Sequence, residues 1–223
     1  MYLHKLVLNL RCREARRDLA NPYEMHSTLC RAFSPPEQKC PGGTFLWRLE
    51  TPIDRQSNPH ILVQSCITPD WTRINDNNWF EKIPNAPVDI QSQLTLKNLQ
   101  LGQSFRFRLR ANPSVCRAGK RFGLFQNEDQ IKWFVDKSLK NGFQLSQFPS
   151  FTLEDSENIN ILISQGQMLR GQQRCGHEIS VYSVLYDGIL TVTNPEKFLF
   201  ALKAGIGHGK TMGLGLLSVV PLR

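Results

Sequence analysis

From Ser104 to Ala111 the chain alternates without a fault: Phe105, Phe107 and Leu109 on one side, Arg106, Arg108 and Arg110 on the other. Side chains of a strand point to opposite faces in turn, so this run is predicted to be a half-buried strand with a basic outer face. The rest of the second half must therefore supply a sheet for that strand and something to cover its apolar side. Asn127–Asn141 offers the cover. It has helical periodicity through Ile131, Phe134, Val135 and Leu139, Asn127 and Gln130 as a capping box, and Gly142 as its stop. Strands are predicted at Gln144–Phe148 and Ile159–Ser164. A hairpin is expected with Ile179–Tyr186 and Ile189–Thr193 reversing at Asp187-Gly188. Asn194-Pro195 then caps and starts a helix that ends at Gly205, and Leu216–Val220 closes the chain as a strand.

The first half has a similar rhythm. Tyr2–Leu10 reads as a buried strand and is followed by the basic segment Arg11–Arg17. Asn21-Pro22-Tyr23-Glu24 has the cap, first-turn proline and capping glutamate of a helix start, and the helix should run to about Phe33. Strands are expected at Phe45–Glu50, Ile61–Ile67 and Val88–Leu96, with a Pro/Asn-rich connection over Asn75–Pro87. Both halves follow the order of strands and helices of a ferredoxin-like βαββαβ unit. The predicted fold class is thus α+β, two tandem ferredoxin-like domains, residues 1–97 and 98–223.

Charge narrows the partners. The sequence holds 27 Lys+Arg against 19 Asp+Glu, a formal net charge of +8. Basic residues cluster at Arg13, Arg16 and Arg17, along Arg106, Arg108 and Arg110, and at Arg117, Lys120 and Arg121. Such an excess favours an anionic polymer. No apolar run is long enough for a membrane span, and no export signal is visible, so a cytoplasmic protein with no membrane partner is expected. The six cysteines are widely spaced and lack a C-x-x-C pair, which suits free thiols in a reducing compartment. The histidines are equally dispersed, so no metal site and no cofactor is expected.

Two segments carry chemistry. Gly205–Gly215 contains five glycines, with Gly207, His208 and Lys210 at its centre, and suits a backbone that turns through positive φ beside a phosphate. It is not a nucleotide-binding P-loop. The required first glycine falls on Ala204, and twelve residues after Thr211 leave no room for the remaining core. On the first capped helix, Tyr23 and His26 are surface neighbours at i and i+3, with Ser27, Cys30 and Arg31 close by. A phenol beside an imidazole among arginines suits proton transfer on an anionic polymer. The plainer alternative is a surface histidine beside a packed tyrosine. RNA gives the pair a specific use. Its 2′-OH attacks the adjacent phosphate if a base takes the 2′ proton and an acid protonates the 5′ leaving oxygen. Arg170, Arg174 and the polar link Gln165–Gly176 suggest a hairpin tip for gripping a duplex groove. Tyr182, Tyr186 and Phe105 offer rings for bases or for ordinary packing.

The glycine spacing, the run Phe107–Pro113 (FRLRANP), the opening MYLHKLVL, the strand Phe45–Glu50 (FLWRLE) and the closing MGLGLLS at Met212–Ser218 occur in an order that resembles the CasE subfamily of CRISPR repeat endoribonucleases. The resemblance covers nearly the whole chain. It implies binding of the repeat hairpin of precursor RNA and metal-independent cleavage at the 3′ base of the stem, leaving a 2′,3′-cyclic phosphate. It also implies retention on the mature guide RNA with other Cascade subunits. Within that resemblance the catalytic histidine falls on His26, the helical tyrosine on Tyr23 and a basic residue one turn on at Arg31. Ser27 stands where some members carry arginine. The alternative is a non-catalytic RNA-binding scaffold of the same kind of complex.

Overall fold

The computed structural model describes every residue except 36, 53–56, 83, 147–158, 173–175, 177 and 223. The chain begins with β1 (Tyr2–Val7), α1 (Arg13–Ala20), α2 (Pro22–Arg31), β2 (Phe45–Glu50), β3 (His60–Ser65), β4 (Val88–Asp89) and the short α3 (Ile90–Gln93). Its first sheet has the order β2-β3-β1-β4, antiparallel throughout. That is the ferredoxin-like order, with a 3-10 helix, Trp71–Asn77, in the second crossover. The core beneath it collects Leu6, Leu8, Met25, Leu29, Trp47, Ile61, Val63 and Trp79.

The second half contains β5 (Ser104–Ala111), β6 (Ser114–Arg117), β7 (Lys120–Gly123), α4 (Asn127–Lys140), β8 (Phe143–Leu145), β9 (Ile161–Gln172), β10 (Glu178–Val192), α5 (Pro195–Ala204) and β11 (Leu217–Pro221). The sheet order β11-β5-β10-β8 repeats the ferredoxin-like pattern, and β9 adds a ribbon along β10. Phe105, Phe107 and Leu109 face inward as the alternation required, against Phe134, Phe143, Tyr186 and Phe198. Met1 and Leu96 also pack into this second core.

Buried polar side chains lock the two sheets together. Arg48 of β2, 2% exposed, donates through Nη1 to the carbonyls of Arg108 (3.1 Å) and Leu216 (2.9 Å). Gln64 of β3 donates to the Leu202 carbonyl at 2.6 Å. The Arg48 charge is held by Glu50 at 2.6 Å. Buried carbonyls that would otherwise lose their water are thereby satisfied.

Several sequence expectations change. Asp187-Gly188 is no turn; both residues lie within the continuous strand β10. Gly188 is needed for close approach, since a Cβ there would stand 2.5 Å from the Asn160 carbonyl oxygen and 3.1 Å from the Phe107 ring. Strands on both sides, β5 and β9, supply its pairing, so the local turn preference is overridden. The real ribbon runs to Gln172 paired with Glu178. Val88–Leu96 stops being a strand after Asp89, whose carboxylate accepts from the Gln91 and Ser92 amides and starts α3. Arg11–Arg17 lies largely in α1. Asn127 and Gln130 form no capping box; Gln130 is buried and donates to the Leu124 and Phe125 carbonyls. A further hairpin, β6–β7, turns on Ala118 and Gly119, at φ 47° and 76°. Among the described residues, no helix is long and apolar enough to cross a membrane.

Candidate functional site

α2 starts with the expected cap and proline but without the expected capping glutamate: the Asn21 amide donates to the Arg17 carbonyl, and Glu24 faces Arg17 instead. Asn21 has extended backbone, its Oδ1 accepts from the Tyr23 amide at 3.1 Å, and Pro22 occupies the first turn. The same side chain reaches across the molecule. Asn21 Nδ2 donates to the Gln172 carbonyl at 3.2 Å, and Oδ1 also accepts from the Gln172 amide at 3.4 Å. One asparagine thus caps the helix and ties it to the ribbon. Beside it, Gly171 backbone approaches so closely that a Cβ would lie 3.3 Å from Tyr23 Cβ and 3.0 Å from the Met212 thioether. Tyr23 therefore sits where α2, the β9 ribbon and the glycine loop converge.

His26 is half-buried one turn further along. Its ring lies against Phe45, centroids 5.0 Å apart, and Nε2 is 3.7 Å from Cys30 Sγ. Nδ1 is buried without a hydrogen-bond partner among the described residues. Burial disfavours the cation and lowers the pKa from 6.5 to about 4. At neutral pH His26 is a neutral imidazole, able to accept a proton.

The surrounding charge is partly spent on the protein itself. Arg31 pairs with Glu14 at 3.0 Å. Arg17 pairs with the fully buried Asp18 at 2.6 Å and lies within 3.7 Å of Glu24. Arg16 donates to the carbonyls of Leu10 and Arg11. Arg13 is exposed, and Ser27 is half-buried beside His26.

The basic strand does not present three free guanidiniums to solvent. Arg106 is exposed, Arg108 is paired with Asp187 (2.7 Å) and Glu50 (3.6 Å), and Arg110 is only 8% exposed. The physical reason is the first sheet, which docks over this face through Arg48 and Glu50. The glycine loop is also busier than an open cradle. Gly205, Gly207, Gly209, Gly213 and Gly215 all have positive φ. Yet Gly215 N–H donates to the Arg110 carbonyl, Ile206 N–H to Gly215 and Leu214 N–H to Gly209. A Cβ on Gly213 would stand 2.9 Å from the Trp47 ring. Much of this glycine density serves close packing between the two sheets.

Outside that junction lies a second basic group. His208 is exposed, and its pKa is lowered by partial burial and then by the positive charges of Arg121, Lys137 and Lys210. Arg117, Lys120 and Arg121 project from β6–β7, and a Cβ on Gly207 would stand 3.4 Å from the Trp133 ring. Lys137, over the Trp133 ring at 5.7 Å, joins this group, and the apolar periodicity of α4 gives no sign of it. Arg170 is exposed on β9; Arg174 lies outside the described residues. Phe105 and Tyr186 are fully buried, and Tyr182 packs on Phe125, so these rings serve packing. Among the described residues no group of three or more His, Cys, Asp or Glu side chains is arranged to hold a metal ion.

The profile of a family described as CRISPR associated protein matches residues 1–221. The CRISPR-associated endoribonuclease Cse3 of Thermus thermophilus is 38% identical over 228 residues, 99% of this chain and 100% of its own length. The CRISPR system Cascade subunit CasE of Escherichia coli K12 is 27% identical over 238 residues, with both chains fully covered. Among solved structures, CRISPR endoribonuclease Cse3 bound to a 19-nucleotide RNA superposes with a TM-score of 0.81 at 38% identity, covering 99% of this chain and all of the other.

Proposed function

The chain belongs to the CRISPR-associated protein family, and from that premise we propose that it is an endoribonuclease of CRISPR repeat RNA acting within a Cascade complex. The similar Thermus protein bears the name of an endoribonuclease, and the similar Escherichia protein that of a Cascade subunit. The observation that carries the reading is His26: a neutral, half-buried imidazole one helical turn from Tyr23, where helix, ribbon and glycine loop meet.

In this reading the RNA 2′-OH loses its proton, and its oxygen attacks the neighbouring phosphorus. The P–O5′ bond breaks and O5′ takes up a proton, leaving a 2′,3′-cyclic phosphate and a 5′-OH. His26 serves as base or acid, and Tyr23 orients the 2′-OH or shares the proton transfer. Arg31, released from Glu14 or acting from that pair, steadies the phosphorane charge. The hairpin stem runs over Arg13, Arg16, Arg17, Ser27, Arg106, Arg117, Lys120, Arg121, Arg170, His208 and Lys210. Residues 1–97 form the unit bearing the cutting helix and 98–223 the unit bearing the glycine loop and ribbon. The workplace is the cytoplasm.

Cleavage of a repeat hairpin in EDTA, comparing wild type with His26→Ala, tests the proposal. Retained binding with lost scission supports it. Full activity of the variant, or abolition of wild-type activity by EDTA, refutes it. Tight binding by wild type with no scission under any condition returns the scaffold alternative.

A further inference from the structure

Between the two sheets, behind α2, lies a cavity of about 270 Å³, near the lower end of small-molecule sites. Neither Tyr23 nor His26 is among its wall residues. Two wall side chains are buried donors without a hydrogen-bond partner among the described residues: Arg110 through Nη1 and Trp47 through Nε1. Their exposures are 8% and 2%. Buried donors are nearly always satisfied, so two orphans on one cavity point to a missing acceptor.

The charge pattern says what kind. Arg48, Arg108 and Arg110 face Glu50 and Asp187. Glu50 holds Arg48 and Arg108, and Asp187 holds Arg108. Arg110 is left with the neutral Gln165 amide, to which its Nη2 donates. Three guanidiniums against two carboxylates leave one buried positive charge in excess. Asp18 also lines the cavity, but Oδ1 is taken by Arg17 and Oδ2 by the Trp79 indole. A buried cation without a counter-charge is unfavourable, and a bound anion offsets it.

We propose that this cavity binds a phosphate ester, with its oxygens on the Arg110 guanidinium and the Trp47 indole. The guanidinium fork matches phosphate in a bidentate manner. Thr51 and Gln167 also line the cavity and add polar groups to its wall. Leu169 and Met25 provide an apolar wall for the body of the ester. The ester is either a free mononucleotide or a phosphodiester of bound RNA. The inference stands independently of the cutting chemistry assigned to His26.

Calorimetry of the full, RNA-free chain with adenosine 5′-monophosphate and with inorganic phosphate tests it. Wild type should bind at one saturable site. Arg110→Gln should weaken that site at least tenfold. Leu169→Trp, which fills the cavity but keeps the guanidinium, should do the same, and it carries the test if Arg110→Gln does not fold. Pre-saturation with repeat hairpin separates the sources: exclusion of the nucleotide assigns the site to an RNA phosphodiester, and undiminished binding assigns it to a free nucleotide. If no free anion binds, both variants must instead weaken hairpin binding tenfold, which again assigns an RNA phosphodiester. Equal anion affinities in wild type and both variants, or no anion binding with unchanged hairpin affinity, overturns the proposal. Loss of the cleavage reading shows separately, as absence of scission by wild type.

Discussion

Burial of His26 makes the protein's stability depend on pH in a calculable way. The folded-state pKa of about 4 lies below the ordinary value of 6.5. Between these values the unfolded chain binds the proton and the folded chain does not, so stability rises with pH. The contribution is complete above pH 6.5 and is lost as pH falls towards 4. A shift of this size corresponds to roughly 3 kcal/mol in full, and about 2 kcal/mol is already lost at pH 5. For a chain of this length that is on the order of 4–8 °C in melting temperature. His4, His60 and His208 are also shifted downward, so the test is a difference measurement. Urea denaturation of wild type and His26→Gln from pH 4.5 to 7.5 should give a constant difference above pH 6.5, with wild type losing about 2 kcal/mol more than the variant by pH 5. A nuclear magnetic resonance titration of labelled imidazole should place His26 well below the other histidines. Parallel stability curves, or a His26 midpoint at or above 6.5, would refute the argument and with it the neutral-imidazole premise of the proposed chemistry.

Other outcomes are equally direct. Gly188→Ala should cost about 1–3 kcal/mol by urea denaturation, because its methyl group would collide with the Asn160 carbonyl and Phe107. Gly213→Ala, at φ 78° and against Trp47, should cost about 1–3 kcal/mol, measured in the same way. Arg48→Met removes two bonds between the sheets and leaves buried carbonyls unsatisfied; a loss of about 3 kcal/mol is expected from a melt monitored by tryptophan fluorescence. Asn21→Ala should both loosen the start of α2 by about 1 kcal/mol and increase amide exchange at Gln172, a residue 151 positions away.

The order of strands and helices was legible because its signals are local. Asn21-Pro22 and Asn194-Pro195 start helices through their own side chain and ring, whatever surrounds them. The alternation of Phe105–Arg110 likewise fixed the inner face of β5. It could not say what would cover the outer face, and so Arg110 read as solvated when it is buried. The Asp187-Gly188 signal failed for a related reason: it describes what a pair of residues prefers alone, and two neighbouring strands outweigh that preference. At the candidate site, the helical spacing of Tyr23 and His26 was visible. The Phe45 ring that buries His26 and the Gln172 backbone that holds Asn21 come from distant segments, and nothing in the local pattern announces them.

β10 has a mechanical consequence. Its fifteen residues span about 50 Å, with one end in the second core and the other in the ribbon. No loop separates the two, so the ribbon is a cantilever built into the sheet rather than a finger on a joint. Its ladder breaks at one place, the register shift between Ser183 and Leu185, where Gln165 opposite adopts φ 50°. Bending strain concentrates at that notch. Beyond it, the beam is pinned to the first turn of α2 at Gln172 and Asn21. A load on the ribbon is therefore borne by the helix that carries Tyr23 and His26, and whatever holds the ribbon still also sets the height of those two side chains.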